Sequence, residues 1–157
     1  MTYSYGGEAM ALARDLLKDK KIASIVAVSP DESVFEAMRV MAEHNIGAVI
    51  VKDAGGNIQG ILSERDIVRK VDVRGRQSRT TPVSQIMTGK VWFVDASQPL
   101  EECVQLMNER NIRHLPVVDG GELVGVISVR DAMRAMLSEQ KIMLEQMEHY
   151  ITGGGKA

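Results

Sequence analysis

Gly125-Val126-Ile127-Ser128-Val129-Arg130-Asp131 lies 65 residues downstream of a near copy of itself, Gly60-Ile61-Leu62-Ser63-Glu64-Arg65-Asp66. This pair of stretches decides the fold, because it makes the chain a tandem repeat. In each copy a short apolar run follows a glycine, stops at a serine and gives way to a helical pattern opening on Arg-Asp, which predicts a strand running into a helix N-terminus. Such a junction gathers free backbone N–H groups and the positive end of a helix dipole, so it suits an anionic ligand such as a phosphate. The same residues also fit a capping box, Ser63 with Asp66 and Ser128 with Asp131, in which the serine accepts from the N3 amide while the carboxylate reaches back to the cap amide. A single motif of this kind is first of all a cap, since caps are common.

Outward from the two junctions, the rest of each unit follows the same order. Ile25 to Val28 and Val91 to Val94 are apolar β-type runs, each followed by a turn containing proline, Pro30 or Pro99, and both are predicted strands. Next come helical faces with Val34, Ala37, Met38 and Met41 in one copy and Leu100, Cys103, Val104 and Met107 in the other. Asn45 and Asn111 close them, asparagine being tolerated in a left-handed C-cap. Strands at Ala48 to Val51 and Leu115 to Val118 then lead through hairpin turns, Asp53 to Asn57 and Asp119 to Gly121, into the repeated stretch. The unit is β-α-β-β-α. Each copy also carries a short apolar lead-in, Met10 to Leu17 and Val83 to Met87. The reading divides the chain into a disordered lead (1–8), a first repeat (9–72), a linker (73–82), a second repeat (83–138), an extension helix (139–152) and a disordered tail (153–157). The linker, with Arg74, Arg76 and Arg79, is expected to be solvated. The closing helix of the second repeat continues its apolar stripe through Met133, Met136, Leu137, Leu144, Met147 and Ile151, and such a stripe needs a partner surface. That surface is either the chain's own domain or a second copy, and a homodimer is the expectation.

Composition narrows the function classes. A net charge of −2 and a pI of about 5.9 give no basic field of the kind that non-specific nucleic-acid binding uses, so no nucleic-acid partner is expected. The absence of a run of 18 apolar residues and of a signal-like N-terminus argues for no membrane partner and a cytoplasmic location. One cysteine and three scattered histidines make a disulfide or a metal site improbable. Cys103 takes the slot of Ala37 and reads as a buried core thiol rather than a nucleophile. With no Gly-rich phosphate loop and no Ser/His/Asp arrangement in view, no catalytic residue is assigned and an enzyme is not expected.

Arg113-His114-Leu115-Pro116-Val117-Val118, the hairpin, and Gly-x-x-Ser-x-x-Asp in both copies together resemble the paired cystathionine-β-synthase (CBS) domains, over about Lys20 to Ala135. The extended C-terminal helix is similar to that of small stand-alone bacterial proteins made only of a CBS pair. The resemblance implies an α/β (α+β) fold in which two β-α-β-β-α repeats pack with pseudo-two-fold symmetry as a Bateman module, with two clefts between them. It implies a regulatory, signal-transducing function in energy sensing, through adenosyl ligands: AMP, ADP, ATP or NAD(H), with no metal. An S-adenosylmethionine sensor, or a dimeric interaction scaffold with vestigial clefts, is the alternative, and the effector protein is not specified. For the second repeat the implied set is Val91, Arg113, His114, Leu115, Pro116, Ser128, Arg130 and Asp131; for the first it is Ile25, Val49, Ile50, Ser63, Arg65 and Asp66. The chemistry is consistent with that class. An aspartate can accept both hydroxyls of a ribose diol, the serine and helix N-terminus can serve a phosphate, arginine adds a planar fork, and the apolar residues offer an adenine slot. The basic pair Arg113-His114 has only Gly47-Ala48 as its counterpart, so phosphate-rich ligands should prefer the second set.

Overall fold

The structure, a computed structural model, describes residues 11–18 and 25–153. The readings made on residues 1–8 and on most of the tail lie outside the described residues. In chain order the elements are α1 (Ala13–Lys18), β1 (Ala27–Val28), α2 (Val34–His44), β2 (Ala48–Lys52), β3 (Ile58–Ser63), α3 (Glu64–Lys70), two 3-10 turns (Asp72–Arg74 and Val83–Gln85), β4 (Val94–Asp95), α4 (Leu100–Arg110), β5 (His114–Asp119), β6 (Glu122–Ser128) and α5 (Val129–Gly153). They build two mixed three-stranded sheets of one topology, β1-β2-β3 and β4-β5-β6, each with a parallel first pair and an antiparallel second pair.

The local signals act as the residue chemistry dictates. Asn45 and Asn111 sit at φ 52° and 53° at the ends of α2 and α4, and their backbone N–H groups turn back onto the last helical carbonyls. Gly120 and Gly121, at φ 60° and 84°, make the two-residue turn that joins β5 to β6 with Asp119 facing Glu122. The longer β2–β3 turn is organised by Asp53, whose Oδ1 accepts from the Gly55 and Asn57 N–H groups at 2.9 Å each. The Asn57 amide, with help from Gly55 and Gln59, holds the Asp53 carboxyl below its ordinary range.

The first strand of each sheet is shorter than its apolar run suggests. Only Ala27–Val28 and Val94–Asp95 pair with a neighbour, so Ile25 and Val91 precede their strands rather than belong to them. That shortness accommodates Pro116 on a central strand, where proline's missing N–H would otherwise break a ladder. β4 pairs with β5 only from Val117 onward, whereas the matching Ile50 of the first sheet donates to the Val26 carbonyl at 3.3 Å.

The compact units are not the sequence repeats. Among the described residues, 25–92 make the first unit, while 11–18 join 93–153 in the second. Each lead-in has therefore been exchanged. In the first unit the Val34 N–H, at the start of α2, donates to the Thr81 carbonyl (2.9 Å), and Val83 and Ser84 donate to Glu32 and Pro30 (2.8 and 3.0 Å). In the second, Leu100 at the start of α4 donates to Ala11 (2.9 Å), and Ala13 and Arg14 donate to Gln98 and Ala96 (2.9 Å each). The exchange is apolar as well. Val83 and Ile86 are buried in one core with Val34, Ala37, Met41, Val49, Val51 and Leu62, and Ala13 and Leu16 are buried in the other unit. The linker is correspondingly tied down: its side chains are mostly exposed, as expected of a polar segment, but its backbone caps α2, with the Phe35 N–H donating to Ser78 at 3.0 Å.

The repeated glycine is the receptor for the exchanged segment. A Cβ at Gly60 would lie 2.6 Å from the Thr88 carbonyl oxygen, and at Gly125 2.6 Å from Leu17 Cδ2. Thr88 is fixed by reciprocal backbone bonds with Ile61 (2.9 and 3.0 Å), whereas a leucine side chain can move. Gly60→Ala should therefore destabilise the protein by about 1–3 kcal/mol, a usual overpacking cost, and Gly125→Ala by clearly less. Urea denaturation of the two variants checks the ranking, and equal losses would contradict the rigid-carbonyl argument.

Candidate ligand-binding site

In the second unit the β5–β6 pairing assembles most of one predicted set. His114 lies opposite Ser128, and the Val129 N–H donates to the Arg113 carbonyl at 2.8 Å, which pins Arg113 beside the start of α5. Arg113, His114, Ser128, Arg130 and Asp131 consequently share one end of the hairpin. Both arms of the capping box are present: Ser128 Oγ accepts from the Asp131 N–H at 3.1 Å, and Asp131 Oδ2 accepts from the Ser128 N–H at 3.2 Å. Arg113 and Arg130 are exposed, and His114, Ser128 and Asp131 are half-buried. Two guanidinium groups, a hydroxyl and a carboxylate at the positive end of a long helix suit a ligand carrying both an anion and vicinal hydroxyls.

The apolar members of that set are placed differently. Leu115 and Pro116 are fully buried on the central strand, one on each face of the sheet, and so belong to the core rather than to an open adenine slot. Val91 is half-buried and falls in the first unit, while the rest of its predicted set falls in the second.

The first unit repeats the frame with other chemistry. The Glu64 N–H donates to the Gly47 carbonyl at 3.0 Å, and Ala48 faces Ser63. Asp66 is only 8% exposed. Its Oδ2 accepts from the Ser63 N–H and Oγ, both at 3.0 Å, while its Oδ1 accepts from Lys70 Nζ at 2.8 Å and Thr88 Oγ1 at 3.2 Å. Lys70 continues to the Ile86 carbonyl at 3.0 Å. The carboxylate thus ties α3 to the exchanged lead-in, and four protein donors occupy the acceptor sites that a diol would use. Lys70 and Thr88 were missed in the sequence. The Asp66–Lys70 spacing of i, i+4 was a readable signal, but nothing local announced Thr88. At the position matching Lys70 the second repeat has Ala135. Val49 and Ile50 are fully buried, Ile25 is half-buried, and Arg65 is half-buried and engaged with other groups.

Elsewhere, Cys103 is completely buried, and burial pushes its thiol up to about 11, the behaviour of an inert core residue. Two of the three linker arginines are used within their own unit. Arg76 Nη1 donates to the Lys70 carbonyl at 2.8 Å, and the Arg79 guanidinium lies 3.8 Å from the Phe35 ring centroid. Among the described residues no three His, Cys, Asp or Glu side chains come together as metal ligands, and no helix is long and apolar enough to cross a membrane.

The two aspartates should separate in the empty protein. Asp66→Asn breaks a largely buried ion pair and leaves Lys70 with one fewer acceptor, so a loss of about 1–3 kcal/mol is expected, moderated because Lys70 is partly solvated. Asp131→Asn, at a half-buried position with Ala135 in place of the lysine, should cost less than Asp66→Asn. Thermal melts without ligand test this, and an equal or reversed order contradicts the assignment.

The comparisons with known proteins agree with this architecture. The family model for the CBS domain matches residues 13–73 and again 83–138. A mitochondrial CBS-domain protein of Arabidopsis thaliana, CBSX3, is 37% identical over 128 residues, covering 79% of this chain and 62% of its own length, so this chain spans less than two thirds of that relative. The CBS-domain protein YhcV of Bacillus subtilis is 34% identical over 124 residues, 79% of this chain and 87% of YhcV. A solved structure from Burkholderia ambifaria, named for signal transduction through CBS domains, superposes with a TM-score of 0.78 at 42% identity, covering 83% of this chain and 96% of that one. With two matched copies, the same β-α-β-β-α order and these relatives, the chain belongs to the CBS-domain family.

Proposed function

We propose that this chain is a regulatory module that binds an adenosyl ligand such as AMP, ATP or NAD(H) at the β6–α5 junction, and that it performs no chemistry of its own. The observation that carries the reading is the convergence of Arg113, Ser128, Arg130 and Asp131 at the N-terminus of α5. Asp131 is the diol acceptor, and the arginines and helix N-terminus take phosphate. The first-unit junction is the weaker site, since Asp66 is already committed to Lys70 and Thr88. Membership in a family of regulatory modules supports the reading, and the chemistry of the junction is consistent with the ligand class that the resemblance implies.

The test is sugar discrimination. If Asp131 holds the diol, a 2′-deoxy ligand leaves one acceptor unsatisfied at a cost of about 1–3 kcal/mol, so deoxy-AMP should bind roughly tenfold or more weakly than AMP. In Asp131→Asn the difference should shrink, because an amide offers one acceptor oxygen rather than two. A thermal-shift panel of AMP, deoxy-AMP, ATP and NADH on both proteins decides, and equal shifts for ribo and deoxy forms in wild type remove Asp131 from the site.

The same reading includes a homodimer held by α5. Ending the chain after Ser138 removes Leu144, Met147 and Ile151, each worth about 1.5–3 kcal/mol when fully buried, and should weaken the dimer in sedimentation. An unchanged dimer would move the contact to the repeats, and a monomeric intact protein would refute it.

A further inference from the structure

The closing helix and the extension are one continuous helix, and its two parts live in different surroundings. Ala132 is its one buried residue, whereas every residue from Leu137 to Gly153 is exposed. A helical extension that packs on nothing is marginal in water, because propensity alone barely offsets the cost of nucleation and ordering. This one also leaves Leu137, Leu144, Met147 and Ile151 between 55% and 78% exposed, more apolar surface than an unpartnered helix carries.

The spacing of these residues has the form of a packing seam. Leu137, Gln140, Leu144, Met147 and Ile151 advance by alternating steps of three and four, the heptad repeat that keeps one stripe facing a partner helix, with Gln140 its single polar member. The flanks of the seam differ. One carries Met136, Met143 and Tyr150; the other carries Lys141 and Glu148. In a parallel pair the charged flank of each helix meets the methionine flank of the other, stranding both charges against apolar neighbours. In an antiparallel pair each flank meets its own kind. Lys141 then lies beside the partner's Glu148 and Glu148 beside the partner's Lys141, while the apolar flanks cover one another.

We propose that α5 pairs with α5 of a second copy of this chain as an antiparallel coiled coil, whose two-fold axis passes midway between the levels of Leu144 and Met147. The inference rests on the homodimer reading and fixes its occupant, orientation and register. The seam is self-complementary under that axis, as an isologous interface requires: each Leu144 faces the partner's Met147, and each Lys141 lies beside the partner's Glu148. Gln140 falls opposite Ile151 of the partner subunit, so the polar seam position lies toward the ends of the pair rather than at its centre.

Cysteine scanning tests the geometry in the full-length protein, with buried Cys103 left in place. A mixture of Leu144→Cys and Met147→Cys chains, whose positions face each other beside the axis, should form a disulfide between copies. Leu137→Cys and Ile151→Cys should not link to their own copies, since antiparallel pairing separates each from its copy by roughly 16–26 Å along the axis at 1.5 Å per residue. A mixture of Gln140→Cys and Ile151→Cys chains should cross-link with each other. Efficient self-linking of Leu137→Cys and Ile151→Cys would mean a parallel pair and overturn the proposal; so would a wild-type dimer in which no tail position cross-links, or a monomer. Charge reversal provides an independent reading: Lys141→Glu or Glu148→Lys should weaken the dimer roughly tenfold, and the double reversal should restore it. Nucleotide melting shifts measured on the same samples keep the two readings apart, since tail pairing can fail with the nucleotide response intact, and the reverse.

Discussion

Each half of this protein is completed by a segment borrowed from the other half's sequence. The starts of α2 and α4 would expose unsatisfied N–H groups; the Thr81 and Ala11 carbonyls, at 2.9 Å from the Val34 and Leu100 N–H groups, meet that need. The same segments bury Val83, Ile86, Ala13 and Leu16. A repeat excised along its sequence boundaries would lose its helix cap and part of its core together. At this size, where apolar burial is barely enough for independent stability, that dependence makes the pair of repeats, rather than either one, the folding unit.

The exchange also sets the chemistry of the two strand-to-helix junctions. In the first unit the incoming segment continues as far as Thr88, which reaches Asp66 and, with Lys70, turns a capping carboxylate into a structural tie. In the second, Ala135 replaces the lysine, and Arg113 and His114 replace Gly47 and Ala48. One backbone frame has thus been kept twice while its side chains have separated into a fastening and a cationic, half-open junction. Duplication supplies the frame, and single substitutions at matched positions set the chemistry that each copy presents.

Much of the frame was legible because its signals are local. The asparagine C-caps, the Gly120-Gly121 turn, the two capping boxes and the helix faces, apart from Met38 at 39% exposed, each depend on residues within a few positions of one another. What the sequence left open is long-range. The apolar turn at Val83 and Ile86 says that it needs cover but not which core will provide it. Gly60 and Gly125 imply close approach, yet only the fold shows that Thr88 and Leu17 are what approach them. The apolar runs ending at Val28 and Val94 overstated the strands, because hydrophobicity registers burial and not the two paired residues that remain. In the candidate site, the polar cluster at Arg113, Ser128 and Asp131 was readable from the repeated motif and the strand facing it. The full burial of Leu115, Pro116, Val49 and Ile50 was not, since an adenine slot and a core strand have the same composition.

The central claim is that the β6–α5 junction holds an adenosyl ligand. Native mass spectrometry of freshly purified protein, before and after adding adenine nucleotides, tests it most directly. The account predicts a bound adenosyl mass in the wild-type protein that is lost in Asp131→Ala and retained in Asp66→Ala. Bare protein under every condition, or equal loss in both variants, would contradict it.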